Sequence, residues 1–183
     1  SAQLVGYRLN KLFISHQIED IADSGLNFVF HKQLKLDDPK WIDPFKLVLD
    51  TVRPDVIFVD TFRRYHSAEE NASEEMNVVC EALDSIMEAY GTTIVLIHHL
   101  NKEFSQMSPG DDLLALRGSS VIAGWVDSAL IFRKEGGGKR NVNLILKHQT
   151  PIESFVFEIK DDEVNLNGIK LEWLGKARVV REE

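Results

Sequence analysis

A short apolar strand that ends in an aspartate constrains the fold of this sequence most. Four consecutive apolar residues, Val56–Val59, follow Pro54 and lead directly into Asp60. No helical periodicity interrupts them, so they predict a strand buried on both faces, as in a parallel sheet. Its last residue would lie at the carboxyl edge, where open α/β folds bind ligands. Asp60 is therefore either a Mg²⁺-binding aspartate beside a nucleotide or a solvated side chain in a turn.

A second buried strand follows one helix later. The helix has an apolar stripe and ends at Gly91, and the strand Thr92–Ile97 runs into His98 and His99. Strand, helix and strand form a βαβ unit, whose strands are neighbours or near neighbours. We therefore expect Asp60 and the two histidines to converge. The pair allows three interpretations: a γ-phosphate sensor, one solvated and one packed histidine, or a metal site with Asp60.

The remaining patterns predict helices around this unit and antiparallel strands after it. A helix is expected over residues 2–18, a short strand at Asn27–His31, and a helix from Asp43-Pro44 to about Val52. Further strands are expected at Ser128–Arg133, Asn141–His148 and Glu153–Lys160, with hairpin turns at Gly136–Gly138 and Asn167-Gly168. The fold class is α/β: a mainly parallel sheet flanked by helices, with an antiparallel C-terminal extension. We expect one domain over 1–183, with the parallel part at 1–133 and a β-hairpin extension at 134–175.

Charge and cysteine content limit the partners. Proteins that bind nucleic acid over their whole surface are usually basic, whereas the net charge here is −8, so any such contact is expected on a loop or in a channel. The single cysteine, Cys80, excludes an internal disulfide framework and is expected to be a buried thiol. No apolar run is long enough to span a membrane, and the N-terminal residues do not form a signal peptide. A cytoplasmic setting is the expectation.

Three segments carry a resemblance to a known family. VIFVDTFRRYHSAEENAS, TTIVLIHHLNKE and LRGSSVIAGWVDSALIFRK occur in this order. They resemble hexameric replicative helicases of the RecA-like ATPase class, especially the plasmid RepA helicase family, with DnaB-like features toward the C-terminus. The resemblance covers about residues 1–150. It implies a RecA-like P-loop NTPase core, ATP and Mg²⁺ as cofactors, and a homo-oligomer, a hexameric ring in the full-length protein.

The resemblance also implies roles for individual residues. Asp60 would be the Walker-B aspartate that holds Mg²⁺ through water, with Thr61 beside it at the nucleotide. His99, with His98 next to it, would sense the γ-phosphate. Residues 100–116 would form a mobile loop toward single-stranded DNA in the ring channel, with Lys102 and Arg117 as phosphate contacts. For each of these two cations, a solvated surface position remains the alternative.

A ring ATPase also needs cations supplied across the subunit interface. Arg133 and Lys147 are the two candidates, the latter in a segment similar to the Lys-x-Arg element of DnaB-like proteins. Gln149 replaces the expected arginine of that element, and Asp127 falls at the finger position of RepA-type enzymes. Either candidate could instead be a surface residue at the end of a strand.

The sequence contains no Walker A loop of the form G-x-x-x-x-G-K-[ST]. By the resemblance, this loop would lie upstream of Ser1, so the chain is expected to be an N-terminally truncated core that is inactive alone. The unpaired strand edges of such a core would distort the sheet or pair with another copy. Three functions follow: an ATP-dependent DNA-translocating motor, of replicative helicase or related replication or repair type; a non-catalytic RecA-like oligomerisation or binding module; or a metal-dependent hydrolase using Asp60, His98 and His99.

Overall fold

The backbone of the chain divides into two compact units. The computed structural model describes residues 2–19, 24–30, 34–100, 120–150, 152–165 and 167–176. One unit comprises residues 31–126, and the other comprises residues 1–30 with 127–183. The single domain expected from the sequence stays a prediction. Among the described residues, no helix is long and apolar enough to cross a membrane.

The unit of residues 31–126 contains the βαβ unit expected from the sequence. Helix α1 (Ala2–His16) precedes this unit in sequence and belongs to the other one. The elements of the unit are helix α2 (Pro39–Val52), strand β1 (Val56–Asp60), a 3₁₀ turn (Phe62–Arg64), helix α3 (Ser73–Tyr90), strand β2 (Thr93–Ile97) and helix α4 (Ser120–Trp125). Strands β1 and β2 pair in parallel, from Val56 opposite Thr93 to Asp60 opposite Ile97. The two predicted strands are therefore direct neighbours.

Helix α3 forms the largest part of the core of this unit. Its buried side chains recur at helical spacing: Met76, Val79, Cys80, Leu83 and Ile86. Met76, Val79, Leu83 and Ile86 pack with Leu49 of α2, Val59 of β1 and Ile122 of α4. Gly91 ends the helix in the left-handed conformation, with φ of 62°, and its N–H donates to the carbonyl of Met87. The chain then enters β2.

The expectation that β1 is buried on both faces is wrong. Val59 is buried and Ile57 packs against the core, but Phe58 is 66% exposed and Val56 is 43% exposed. Alternate residues of a strand point to opposite faces, so only one face of the β1–β2 sheet is covered within this unit. A continuous apolar run does not reveal which elements cover each face.

The predicted start of helix α2 is also wrong. The helix begins at Pro39, where the carboxylate of Asp38 accepts a hydrogen bond from the N–H of Lys40 at 3.0 Å, and Pro44 lies inside the helix. The sequence contains two Asp-Pro pairs, and the first is the N-cap. A start at Pro39 places Ile42, Phe45 and Leu49 on one face, against the core.

The second unit is built around a four-stranded antiparallel sheet. Its strands are β3 (Ser128–Gly136), β4 (Lys139–Leu146), β5 (Phe155–Asp161) and β6 (Ile169–Lys176), in the order β3-β4-β5-β6, and α1 contacts β6. The predicted glycine hairpin joins β3 to β4. The predicted hairpin connects β5 to β6, and its connection contains Asn167 at a positive φ. The side-chain amide of Asn165 donates to the carboxylate of Asp162 at 2.9 Å, and so do the N–H groups of Asn165 and Val164. These hydrogen bonds, the side-chain one above all, lower the pKa of Asp162.

Two further differences concern the extent of the sheets. Among the described residues, the parallel part has two strands, and the antiparallel part begins at Ser128 rather than after residue 133. The predicted strand at Asn27–His31 is wrong for its described residues 27–30, which form no strand. The rings of Phe28 and Phe30 stack at 5.9 Å, but both side chains are exposed, and no described strand pairs with them. The result is a mixed α/β fold with a small parallel sheet, compatible with a P-loop-like core.

Candidate functional site

Asp60 and the two histidines lie at the same edge of the β1–β2 sheet. Asp60 is paired in register with Ile97, and His98 and His99 follow directly after β2. The carboxyl ends of both strands therefore bring these residues to neighbouring positions, as expected from the βαβ pattern. Asp60 and His99 are exposed, whereas His98 is half-buried. The edge thus presents one carboxylate and one imidazole to solvent.

The segment after Asp60 forms a 3₁₀ turn at Phe62–Arg64. The peptide bond between Asp60 and Thr61 is cis. Thr61 precedes the 3₁₀ turn, and its carbonyl accepts a hydrogen bond from the N–H of Arg64 at 2.9 Å. Thr61 itself is half-buried, next to the exposed Asp60. It is therefore adjacent to the sheet edge, where the resemblance assigned it a nucleotide contact.

A buried phenylalanine connects this turn to the end of β2. Phe62 has no exposed surface, and its ring contacts His66 at 4.7 Å and His98 at 5.9 Å between ring centroids. The His98 ring meets Phe62 edge-on. His98 is thus the packed member of the histidine pair, and His99 is the solvated member. This arrangement matches the interpretation of the pair as one solvated and one packed histidine. The exposed side chain of His99 can still contact a ligand.

Two charged residues that the sequence analysis did not select hold the segment after Asp60 in place. Lys35 Nζ donates to the carbonyls of Arg64 and His66, both at 2.9 Å. The carboxylate of Asp37 accepts hydrogen bonds from the N–H groups of Ser67 and Ala68, at 2.7 Å and 2.8 Å. These contacts span about thirty positions of sequence, so no local motif marks them. The alternation of apolar and charged residues in Leu34–Asp37 is the one local signal, because Leu34 and Leu36 are buried.

His66 is a buried, neutral histidine within this segment. Its Nδ1 lies 3.2 Å from the carbonyl of Ala68, an arrangement in which Nδ1–H donates. Its Nε2 has no hydrogen-bond partner in the described part of the chain. Burial, followed by the positive charge of Arg63, lowers the pKa of His66 from 6.5. The neutral form is therefore favoured near pH 7.

The four cations predicted to act in catalysis or DNA binding are not among the described residues of the unit of residues 31–126. Arg133, on β3, is half-buried, and Lys147, just after β4, is exposed; both belong to the second unit. Lys147 borders an open depression of about 690 Å³, which is also lined by His148, Gln149, Thr150 and Ile152. Lys102, Arg117 and the predicted channel loop from residue 101 onward lie outside the described residues. The roles assigned to all four cations stay predictions.

The residues at the edge fit a water-coordinated Mg²⁺ better than a protein-bound transition metal. Mg²⁺ keeps several waters and is commonly held by one or two carboxylates and substrate phosphates, which the exposed Asp60 allows. Among the residues that the structure describes, no three His, Cys, Asp or Glu side chains are grouped to hold a metal ion. Cys80 is buried as expected, and burial raises the pKa of its thiol to about 11. The metal-hydrolase alternative therefore gains no support from these residues.

One comparison with known protein families bears on this edge of the sheet. A family model described as an AAA domain matches residues 16–105. The matched segment includes β1, α3 and β2, and with them Asp60, His98 and His99. The match supports an AAA/RecA-like P-loop NTPase family and suggests an ATPase-type function. ATPases of this type generally use a nucleotide and Mg²⁺.

Proposed function

We propose that this chain is part of an ATP-dependent DNA-translocating motor, a replicative helicase or a related replication or repair ATPase. The observation that carries the proposal is the placement of Asp60 and His99 at the ends of two directly paired parallel strands. Open α/β sheets bind ligands outside the carboxyl ends of their strands. The AAA-domain match over the same residues supports a nucleotide as that ligand.

Each exposed group at the edge has a separate task in this proposal. Asp60 binds Mg²⁺ through water, and the metal offsets charge on the transferring phosphate when bound. Thr61 lies beside Asp60 and contacts the nucleotide. His99 donates a hydrogen bond to the γ-phosphate and loses it on hydrolysis. His98 packs against Phe62 and holds the end of β2 in position, so we assign it no contact with the nucleotide.

The DNA-binding part of the proposal depends on the segment after His99. Residues 100–116 follow the proposed sensor directly in sequence. In this proposal, a shift of His99 on loss of the γ-phosphate is transmitted through the backbone to these residues. Lys102 and Arg117 are the proposed phosphate contacts. A local contact of this kind is compatible with the net charge of −8.

The test of this coupling is ATP hydrolysis by the full-length protein with and without single-stranded DNA. His99→Ala should abolish most of the stimulation by DNA while leaving nucleotide binding within a few-fold. His16→Ala, which removes an exposed histidine of α1, is the control and should leave stimulation unchanged. Full stimulation in His99→Ala would contradict the sensor role.

The motor is proposed to act as a homo-oligomer, a hexameric ring in the full-length protein. Arg133 and Lys147 are the candidates for a cation supplied to the neighbouring nucleotide. The exposed Phe58 and Val56 on the open face of β1 support association, since exposed apolar sheet surfaces commonly mark interfaces.

A non-catalytic RecA-like oligomerisation or binding module is the second candidate. One observation favours it: these 183 residues contain no G-x-x-x-x-G-K-[ST] loop. Equilibrium binding of a labelled ATP analogue to the full-length protein separates the two. Mg²⁺-dependent binding supports the motor, and its absence supports the non-catalytic module.

A further inference from the structure

One face of the four-stranded antiparallel sheet combines exposed aromatic rings with two cations. The pairing register places four side chains in one row across the sheet: Lys134 opposite Arg140, Arg140 opposite Phe157, and Phe157 opposite Trp173. Directly opposed residues share a face. Phe132 and Phe155 lie two positions along their strands from Lys134 and Phe157, and therefore on the same face. We call these six residues the aromatic face.

The ring contacts confirm that these side chains share one surface. The rings of Phe132 and Phe157 meet edge-on at 6.2 Å, and those of Phe155 and Trp173 stack at 4.7 Å. Trp173 is nevertheless 62% exposed, and Phe132 is 52% exposed. Flat ring surfaces of this kind remain available for stacking with a further planar group.

The two cations of the aromatic face lie directly opposite each other. Lys134 faces Arg140 across the ladder, and the next residue in the row is Phe157 rather than an acid. Like charges at directly opposed positions destabilise a sheet. On the opposite face Lys160 also lies opposite a cation, Lys170, but there Lys160 forms ion pairs with both Glu158 and Glu172. An anion bound between Lys134 and Arg140 would offset their repulsion.

We propose that the aromatic face binds single-stranded nucleic acid. A phosphate would contact Lys134 and Arg140 while bases stack on Trp173 and Phe132, a combination typical of single-strand-binding surfaces. Strands are spaced ~4.8 Å apart, so the row from Lys134 to Trp173 spans ~14 Å, which accommodates several nucleotides. This surface extends the DNA-binding part of the proposed function beyond residues 100–116, and it requires no ATP hydrolysis.

The experiment measures binding of a fluorescein-labelled oligothymidylate of about 15 nucleotides to the full chain by anisotropy, over a series of salt concentrations. Trp173→Ala should weaken binding about 10-fold, whereas Trp173→Phe, which keeps an aromatic ring, should stay within about 3-fold of wild type. Lys134→Gln with Arg140→Gln should weaken binding about 10-fold and reduce the slope of log K against log salt by about 1.4.

The matched control removes two charges from the opposite face, by Lys139→Gln with Lys170→Gln. These residues face Glu158 and Lys160 across the ladders. Binding within about 2-fold of wild type is expected. Circular dichroism of every variant establishes that the sheet is intact.

Four outcomes would overturn the proposal. They are no oligonucleotide binding at low salt, equal weakening by the two charge-removing variants, unchanged binding in Trp173→Ala, and displacement of the oligonucleotide by equimolar ATP. Sedimentation velocity tests whether the aromatic face instead binds a second copy of the chain. Self-association that Trp173→Ala abolishes, in the absence of nucleic-acid binding, would overturn the proposal in favour of that alternative. Loss of DNA-stimulated hydrolysis in His99→Ala leaves this test unaffected, so the two proposals fail separately.

Discussion

Asp37 shows how a residue distant in sequence anchors the segment that follows Asp60. Its carboxylate accepts two backbone hydrogen bonds from Ser67 and Ala68, and Lys35 binds two carbonyls of the same segment. The apolar run before Asp60 predicted that Asp60 lies at a sheet edge. It contained no information on Asp37, because that contact depends on how the chain folds back on itself.

Removing the carboxylate of Asp37 should destabilise the unit of residues 31–126. Asp37→Ala leaves the N–H groups of Ser67 and Ala68 without their acceptor, at a cost of about 2 kcal/mol. Urea denaturation measures the change in unfolding free energy. Asp43→Ala, at an exposed position of α2, is the control and should change stability by less than about 0.5 kcal/mol. Equal effects of the two variants would contradict the anchoring role of Asp37.

His66 should make the stability of the same unit depend on pH. Its pKa is lowered in the folded state by burial and by Arg63, so the unfolded chain binds a proton more readily. The stabilisation is present above about pH 6.5 and is lost as the pH falls below it, with a slope of at most about 1.4 kcal/mol per pH unit.

The measurement compares unfolding free energies of wild type and His66→Asn between pH 7.5 and 5. Asn retains a donor near the Nδ1 position but cannot titrate, so the slope should decrease in the variant. His16→Asn, at an exposed position of α1, is the control for replacing a histidine outside this unit. An unchanged slope in His66→Asn would show that other groups cause the pH dependence.

For the individual elements, local sequence patterns predicted which segments form helices and strands. They predicted less well where an element begins and which other elements cover it. The strands at Val56–Asp60 and Thr93–Ile97 and the helix that ends at Gly91 were predicted from periodicity and capping residues. The start of α2 was misplaced because the sequence offers two Asp-Pro pairs. The burial of β1 was overestimated because it depends on which elements cover the sheet.

Pro44 provides a test of the observed start of α2. Inside a helix, proline removes the N–H that would donate to the carbonyl four residues earlier, here that of Lys40. Pro44→Ala should restore this bond and stabilise the unit by about 1–2 kcal/mol, after allowance for the greater freedom of the unfolded chain. Pro39→Ala, at the first helical position, should change stability by less than about 1 kcal/mol. The reverse order in thermal denaturation would place the helix start at Pro44.

At the scale of the whole molecule, the sequence predicted the α/β class and the order of parallel before antiparallel strands. It did not predict that, in the part of the chain that the structure describes, the parallel sheet has two strands and the antiparallel sheet four, because sheet membership depends on contacts distant in sequence. For the same reason, the clustering of rings and cations on the aromatic face appears only when the register is known.

The open face of β1 should promote association. Phe58→Lys introduces a charge at a position that is 66% exposed, so the fold should tolerate it while association weakens. Analytical ultracentrifugation over a range of protein concentrations measures the effect. Leu47→Lys, at an exposed position of α2, is the control for an added charge. A chain that is monomeric at all concentrations would contradict the proposal that this face associates.

We propose that Asp60 belongs to a Mg²⁺–nucleotide site at the edge of the β1–β2 sheet. The most direct test is Mg²⁺-dependent ATP turnover by the full-length protein carrying Asp60→Asn, with Asp55→Asn, just before the other end of β1, as the matched control. Asp60→Asn should lower turnover by at least about 100-fold with folding preserved, whereas Asp55→Asn should change turnover little. Unchanged turnover in Asp60→Asn would contradict this proposal.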